Sequence, residues 1–139
     1  MTQTQSIFNA ETLARIRIGV FGLTGLVCAV YSVLAIAGDI PNPMPAWLPA
    51  VFGVAAAIVL WISAFAAGQR NADMAFDELY HIEWGRALKI AYWFAVALYP
   101  IFGILLYQGW VSHSTAFAAM GTAIGAMPLL SYCIINLRG

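Results

Sequence analysis

Long apolar runs alternate with short polar links along the whole chain. Four runs of roughly 20 residues that carry no charged side chain between their ends cover residues 18–37, 46–67, 90–107 and 115–137. Because a helix needs about 20 apolar residues to cross the hydrocarbon core of a bilayer, each run predicts a transmembrane helix. The short links after the first and third runs predict two antiparallel hairpins. The expected fold is therefore an all-α membrane protein, a single domain over residues 1–139.

The charged residues are few and unevenly placed. They form 9% of the chain, against about 25% in soluble domains. All six basic residues fall on one side of the predicted membrane: Arg15, Arg17, Arg70, Arg86, Lys89 and Arg138. Since loops on the cytoplasmic side are enriched in Lys and Arg, both termini are expected to be cytoplasmic. The zero net charge and the lack of a basic run do not favour a nucleic-acid partner.

Six of the twelve charged residues lie in the segment 71–89, which predicts a cytoplasmic helical extension of the third span. On one continuous helix Asp73, Asp77 and His81 share a face at i, i+4 and i+8, so they are weak candidates for metal ligands. The outer two would lie about 12 Å apart at a rise of 1.5 Å per residue, so one ion would need further ligands from elsewhere. The alternative is a solvated acidic face.

Glu83 falls on the apolar side of the same predicted helix. A carboxylate there should be paired, because an isolated buried charge is costly. Arg86 lies at i+3, so the sequence predicts a structural ion pair between Glu83 and Arg86, or a clamp onto another arginine at the same membrane level. A role as general acid or base is not expected, since no nucleophile or cofactor loop lies nearby in the sequence.

Small residues at i, i+4 spacing predict helix contacts inside the bilayer, where backbones associate by close approach. The pairs are Gly25 and Ala29, Gly53 and Ala57, and the full GxxxG of Gly121 and Gly125. Packing within the chain and pairing with a second copy both remain open at this point.

The spans carry none of the ionisable side chains that ion-coupled carriers and proton relays keep inside the membrane. His81 and His113 lie on opposite sides of the predicted membrane, so haem ligation between spans is not expected. We therefore expect no cofactor and no catalytic residue.

The stretch "DELY" followed by "RALKIAYWF" resembles small, uncharacterised four-helix proteins of bacterial inner membranes, in which an Asp-Glu pair precedes the third helix and a basic residue and an alanine-rich entry follow. The matching residues are Asp77, Glu78, Arg86, Ala87 and Ala91. The resemblance implies a multi-pass protein of the bacterial inner (plasma) membrane, and it implies no activity.

Three functions follow as hypotheses. The first is a non-enzymatic accessory or assembly subunit that contacts membrane lipids and binds other membrane proteins or a second copy of itself. The second is a small oligomeric transporter or channel, with Pro100 and Pro128 shaping a path. The third is a metal-dependent membrane enzyme that uses Asp73, Asp77 and His81.

Overall fold

The computed structural model describes residues 9–45 and 47–138, which form five helices. The helices are α1 (Ala10–Gly38), α2 (Trp47–Ala67), α3 (Gln69–Ala75), α4 (Glu78–Tyr107) and α5 (His113–Arg138). All except α3 are long and apolar enough to cross a membrane, and each overlaps one of the four predicted spans. Ala46, where the second predicted span begins, lies outside the described residues, as do residues 1–8 and 139 of the predicted domain.

The predicted helical extension over residues 71–89 is broken in the structure. Helix α3 ends at Ala75, and Phe76 leaves the helical conformation at φ −109° and ψ 45°. Asp77 is extended, and its side chain accepts a hydrogen bond of 3.1 Å from the backbone N–H of Tyr80. An aspartate in this position is a favoured N-cap, so Asp77 starts a new helix instead of continuing the old one.

Helix α1 is the centre of the fold. It packs most extensively against α5 and also contacts α2 and α3, while α4 packs on α5. Its buried residues follow the helical period: Leu13, Arg17, Thr24, Gly25, Tyr31, Ser32 and Ala35. The contacts therefore run in the order α2, α1, α5, α4, and α2 is the least covered of the four long helices, burying only Ser63 and Ala67 among its residues.

Small side chains bring α1, α4 and α5 close together. Ala35 and Ala119 are fully buried in one cluster with Leu98 and Phe102. The hydroxyl of Ser32 donates to the carbonyl of Ala119 over 2.9 Å, which ties α1 to α5. Lipid tails are as apolar as these side chains, so close packing and such hydrogen bonds, more than the hydrophobic effect, hold the helices together.

The links after α1 and α4 are tied to each other. Asp39 ends α1 in a left-handed conformation at φ 48°, and its carboxylate accepts a hydrogen bond of 2.9 Å from the backbone N–H of Ser112. The Ser112 hydroxyl accepts in turn from the N–H of Thr115, over 3.2 Å, in the first turn of α5. The hydrogen bonds from the Ser112 backbone and the Thr115 hydroxyl lower the pKa of Asp39 below its ordinary value.

We expect the hydrogen bond between Asp39 and Ser112 to make the folding stability depend on pH in the acidic range. A carboxyl group whose pKa is lower in the folded than in the unfolded state stabilises the fold above its unfolded pKa, and this contribution is lost as pH falls through the folded pKa. Asp39→Asn should therefore flatten the fall of the melting temperature in detergent below about pH 4. Asp73→Asn, on an exposed carboxylate of α3, is the control; an equal effect of both variants would contradict the prediction.

Gly25 lies where α1 packs closely on α5. A Cβ placed on it would come within 2.9 Å of Leu130 and 3.3 Å of Leu129. Overpacking of this kind costs about 1–3 kcal/mol, so Gly25→Leu should lower the melting temperature in detergent. Gly121→Leu is the matched control on α5, because a Cβ there meets nothing within 4 Å. Equal melting temperatures for the two variants would rule out a tight contact at Gly25.

Candidate functional site

A buried arginine joins four helices at the end of the molecule where α1 and α4 begin and α5 finishes, here called the basic end. Arg17 of α1 is 4% exposed. Its guanidinium carbon lies 5.1 Å from the ring centre of Phe76, 4.4 Å from that of Tyr80 and 5.5 Å from that of Tyr132. One guanidinium nitrogen donates to the carbonyl of Ala75 over 2.5 Å. These four partners come from α3, the α3–α4 junction, α4 and α5.

These partners can stabilise the charge of a guanidinium although none of them is a carboxylate. Aromatic faces carry negative charge density and attract a cation within about 6 Å of the ring centre, and the flat guanidinium stacks on them. The carbonyl of Ala75 lies at the C-terminus of α3, where carbonyls lack helical partners and the helix dipole is negative. In the described part of the chain, the ion pair within 4.0 Å joins Arg15 to Glu11. The charge of Arg17 is therefore stabilised by aromatic rings and a backbone carbonyl.

Two polar atoms at this site are buried without a hydrogen-bond partner among the described residues. They are the Nε of Arg17 and the hydroxyl of Tyr132. The Tyr132 ring lies with its centre 5.5 Å from that of Phe21, 5.7 Å from that of Tyr80 and 5.7 Å from that of Trp84. These near-perpendicular contacts are the favoured geometry for aromatic pairs, so the rings form a rigid cluster around the arginine.

Glu83 is half-buried, but its partner differs from the predicted one. Its carboxylate accepts a hydrogen bond of 2.8 Å from the side-chain amide of Asn136 on α5. Arg86 is exposed, and no ion pair between Glu83 and Arg86 is present in the described residues, where Arg15 with Glu11 is the pair observed. The predicted clamp onto an arginine is therefore not seen among the described residues. Glu83 instead joins α4 to α5 through the amide of Asn136.

The three weak metal candidates are divided between α3 and α4. Asp73 belongs to α3, Asp77 is the N-cap of α4, and His81 lies one turn inside α4. The helix break between Asp73 and Asp77 removes the shared face that the sequence predicted. Asp73 and Asp77 line one shallow depression of about 590 Å³ with Gln69, Arg70 and Met74. Within residues 9–45 and 47–138, no three His, Cys, Asp or Glu side chains form a group suited to a metal ion.

The predicted small-residue pairs divide into two kinds. Gly25 lies in the α1–α5 contact, and Ala29 is half-buried beside it. A Cβ at Gly53, Gly121 or Gly125 would meet nothing within 4 Å. Gly53 and Ala57 instead line a cleft between α1, α2 and α5. Gly121 and Gly125 are exposed, so their pairing with another chain stays a prediction.

Sequence reasoning placed Arg17 with the other basic residues outside the membrane and missed its burial. Two signals point to it in retrospect: Phe21 lies one turn after Arg17, and Tyr80 and Trp84 lie one turn apart before the third predicted span. Such spacing puts aromatic rings on single helix faces near a cation. The contribution of Tyr132 depends on where α5 packs at the basic end. The spacing of residues along the sequence does not predict that packing.

We expect Arg17→Ala to be strongly destabilising. Removing the guanidinium leaves the Ala75 carbonyl unpaired and a cavity between the rings, and core truncations of this size cost about 2–5 kcal/mol. Arg15→Ala is the matched control two residues earlier, since its ion pair with Glu11 is exposed and such pairs contribute about 0–1 kcal/mol. Thermal unfolding in detergent measures both; similar losses would contradict a special role for Arg17.

Comparison with known proteins finds no relative of this chain. No protein-family model, no curated protein and no solved structure matches the chain. The roles of Arg17, Glu83 and the aromatic cluster therefore rest on the geometry described above.

Proposed function

We propose that this chain is a non-enzymatic, multi-pass protein of the bacterial inner (plasma) membrane, with both termini cytoplasmic. It acts as an accessory or assembly subunit that binds a transmembrane helix of another membrane protein or of a second copy. The observation that carries this proposal is the exposed pair Gly121 and Gly125 on α5, whose Cβ positions meet nothing within 4 Å.

The face of α5 that carries Gly121 and Gly125 is uncovered, although other parts of this helix are buried. Gly125 and Tyr132 are seven residues apart, so they lie on nearly the same face of α5. At Tyr132 the aromatic cluster covers that face completely, with 0% exposure. One heptad earlier, at Gly125, the same face is open. Phe117, eight residues before Gly125, is 86% exposed.

The chemistry of this face fits a helix as its occupant. Glycines at i, i+4 spacing let a second backbone approach closely, which is the main source of helix association in lipid. Phe117 and Ile124 flank the glycines as exposed apolar side chains. Phe117 and Ile124 are seven residues apart, so they form one ridge beside the stripe of glycines. This shape suits another apolar helix.

The polar groups of the spans favour this proposal over the transporter. Ser63 and Thr122 donate to carbonyls of their own helices, over 2.6 Å and 2.8 Å, and Ser32 donates to Ala119 on α5. Hydroxyls engaged with backbone inside the chain are not free to line a polar path.

The test is purification of the tagged chain from its native membranes in mild detergent, with mass spectrometry of what is recovered with it. We expect a defined membrane-protein partner, or a dimer of the chain itself. Gly121→Leu combined with Gly125→Leu should reduce the recovered partner at least tenfold while leaving thermal stability unchanged, because both sites have room within the chain.

Gly103→Leu on α4 is the control, since a Cβ there also meets nothing within 4 Å, and it should keep the partner. Recovery of the native chain alone, as a monomer, would count against the accessory function. Equal partner loss with Gly103→Leu would show that the α5 face is not the contact.

A further inference from the structure

Two exposed cations of α4 lie where this helix enters its apolar run. Arg86 and Lys89 are three residues apart, so their side chains are neighbours on the helix surface. Lys89 lies two residues after Ala87 and two before Ala91, which are 0% and 8% exposed. Because two residues turn a helix by about 200°, Lys89 lies on the side of α4 opposite to the packed one. The pair therefore faces the surroundings of the protein.

Arg86 and Lys89 are not balanced by a carboxylate within the described part of the chain. No ion pair within 4.0 Å there includes either of them, and the remaining residues hold no acidic side chain. Glu83, three residues before Arg86, is bound by Asn136. Glu78 precedes Arg86 by eight residues, which is about 12 Å along the helix. The positive charge of the pair is therefore available to an anion from outside the chain.

Two other exposed cations of the basic end lie close to acidic groups. Arg15 forms an ion pair with Glu11. Arg70 lines the shallow depression that it shares with Asp73 and Asp77. These two arginines carry the same charge as Arg86 and Lys89 but have acidic neighbours, so they provide a matched comparison.

The face of α4 that carries Lys89 continues as an exposed apolar stripe. It runs through Trp93, Val96 and Pro100, and this spacing keeps residues on one side of a helix. Trp93 is 62% exposed, and tryptophan is enriched where lipid headgroups meet hydrocarbon. From Lys89 to Pro100 the helix rises about 16 Å, close to half of the roughly 30 Å hydrocarbon thickness of a bilayer. The stripe is therefore as long as one leaflet is thick.

The order of groups along this face fits a phospholipid as its occupant. A phospholipid has a phosphate at one end and an acyl chain that spans one leaflet at the other. A guanidinium can bind two phosphate oxygens at once, and each Lys or Arg near the membrane surface strengthens the attraction of anionic lipids. An acidic protein segment in water would contact the cations and leave the apolar stripe uncovered.

Gly85 leaves room for a headgroup beside the two cations. It precedes Arg86 and lies one turn before Lys89. A Cβ on Gly85 would meet nothing within 4 Å, so the packing of the described residues does not require glycine there. Glycine inside a helix is less stable than alanine, and the open backbone allows a bulky headgroup to approach both cations.

We propose that Arg86, Lys89 and the stripe from Trp93 to Pro100 form a binding site for one phospholipid with a net negative headgroup, such as phosphatidylglycerol. Arg86 and Lys89 bind its phosphate beside Gly85, and an acyl chain lies along the stripe. The proposal depends on α4 lying in a membrane. It is independent of the accessory function and of the side on which the termini lie.

The experiment uses the full chain purified in mild detergent and mixed with equal amounts of phosphatidylglycerol and phosphatidylcholine that carry identical acyl chains. Native mass spectrometry measures which lipid is retained at one lipid per chain. Both headgroups contain a phosphate, so the net charge is what differs. The native chain should prefer phosphatidylglycerol about tenfold, from the attraction of two cations near the membrane surface. Arg86→Gln combined with Lys89→Gln should remove most of this preference, and Lys89→Arg should keep it.

Arg15→Gln combined with Arg70→Gln is the matched control, because it removes the same charge from the same end of the molecule. This variant should keep the preference for phosphatidylglycerol. Gly85→Leu should weaken phosphatidylglycerol binding by filling the space beside the cations. Gly103→Leu, also on α4 with nothing within 4 Å of a Cβ, should bind as the native chain does. Circular dichroism melting confirms that each variant is folded.

Four results would overturn the proposal. The first is a native chain that binds both lipids equally. The second is equal loss of preference in the two double variants, which would be an effect of net charge alone. The third is displacement of phosphatidylglycerol by excess inorganic phosphate, since the site would then hold a free anion. The fourth is an unchanged lipid preference in the Arg86 and Lys89 double variant together with loss of a protein partner, which would assign the cations to that protein. A native chain with this lipid preference but without a protein partner would contradict the accessory function alone.

Discussion

The burial of Arg17 is the constraint on which the arrangement of the helices depends. Moving an unpaired ion of this size into a medium of low dielectric costs on the order of 20 kcal/mol in the idealised limit, and a guanidinium does not lose its proton in a protein. The charge must therefore be met wherever the backbone of α1 puts it. Three aromatic faces and the carbonyl of Ala75 meet it, and each is supplied by a different part of the chain.

The need to stabilise the charge of Arg17 is met by the break between α3 and α4 at the basic end. The Ala75 carbonyl is available because α3 stops there, and α3 stops because Phe76 leaves the helix and Asp77 starts α4. The same break turns Phe76 onto the guanidinium. Residues 69–77 are thus shaped to deliver one carbonyl and one ring to Arg17. At the opposite end the carboxylate of Asp39 accepts from the N–H of Ser112, and the hydroxyl of Tyr31 donates to the carbonyl of Pro41.

Much of this architecture could be predicted from the sequence. The four spans follow from uncharged runs of sufficient length, since the thickness of a bilayer fixes how many residues a helix needs. The break at Phe76 could not be predicted in the same way. Asn71, Asp73 and Asp77 are all good N-caps, so their types do not distinguish Asp77, which caps α4 in the structure.

The site was harder to foresee than the fold, for a physical reason. Glu83 was predicted on the apolar side of its helix, and it is half-buried in the structure. Its partner is Asn136, 53 residues later in the sequence, and the pairing depends on the register of α4 against α5. Likewise the GxxxG of α5 marks a face fit for close approach, but whether the chain itself covers that face depends on where α1 and α4 lie.

The same geometry that seals the basic end accounts for the open surfaces elsewhere. Tyr132 is large enough to be reached from α1 and α4 at once, and its ring contacts Phe21 and Trp84. At Gly125, one heptad away on the same face, α5 has no side chain with which to make such a contact, so the face stays open. Phe21 of α1 packs against Tyr132 and also lines the cleft between α1, α2 and α5. One aromatic residue therefore belongs to both the sealed cluster and the cleft, so the packing of α1 on α5 and on α2 shares the ring of Phe21.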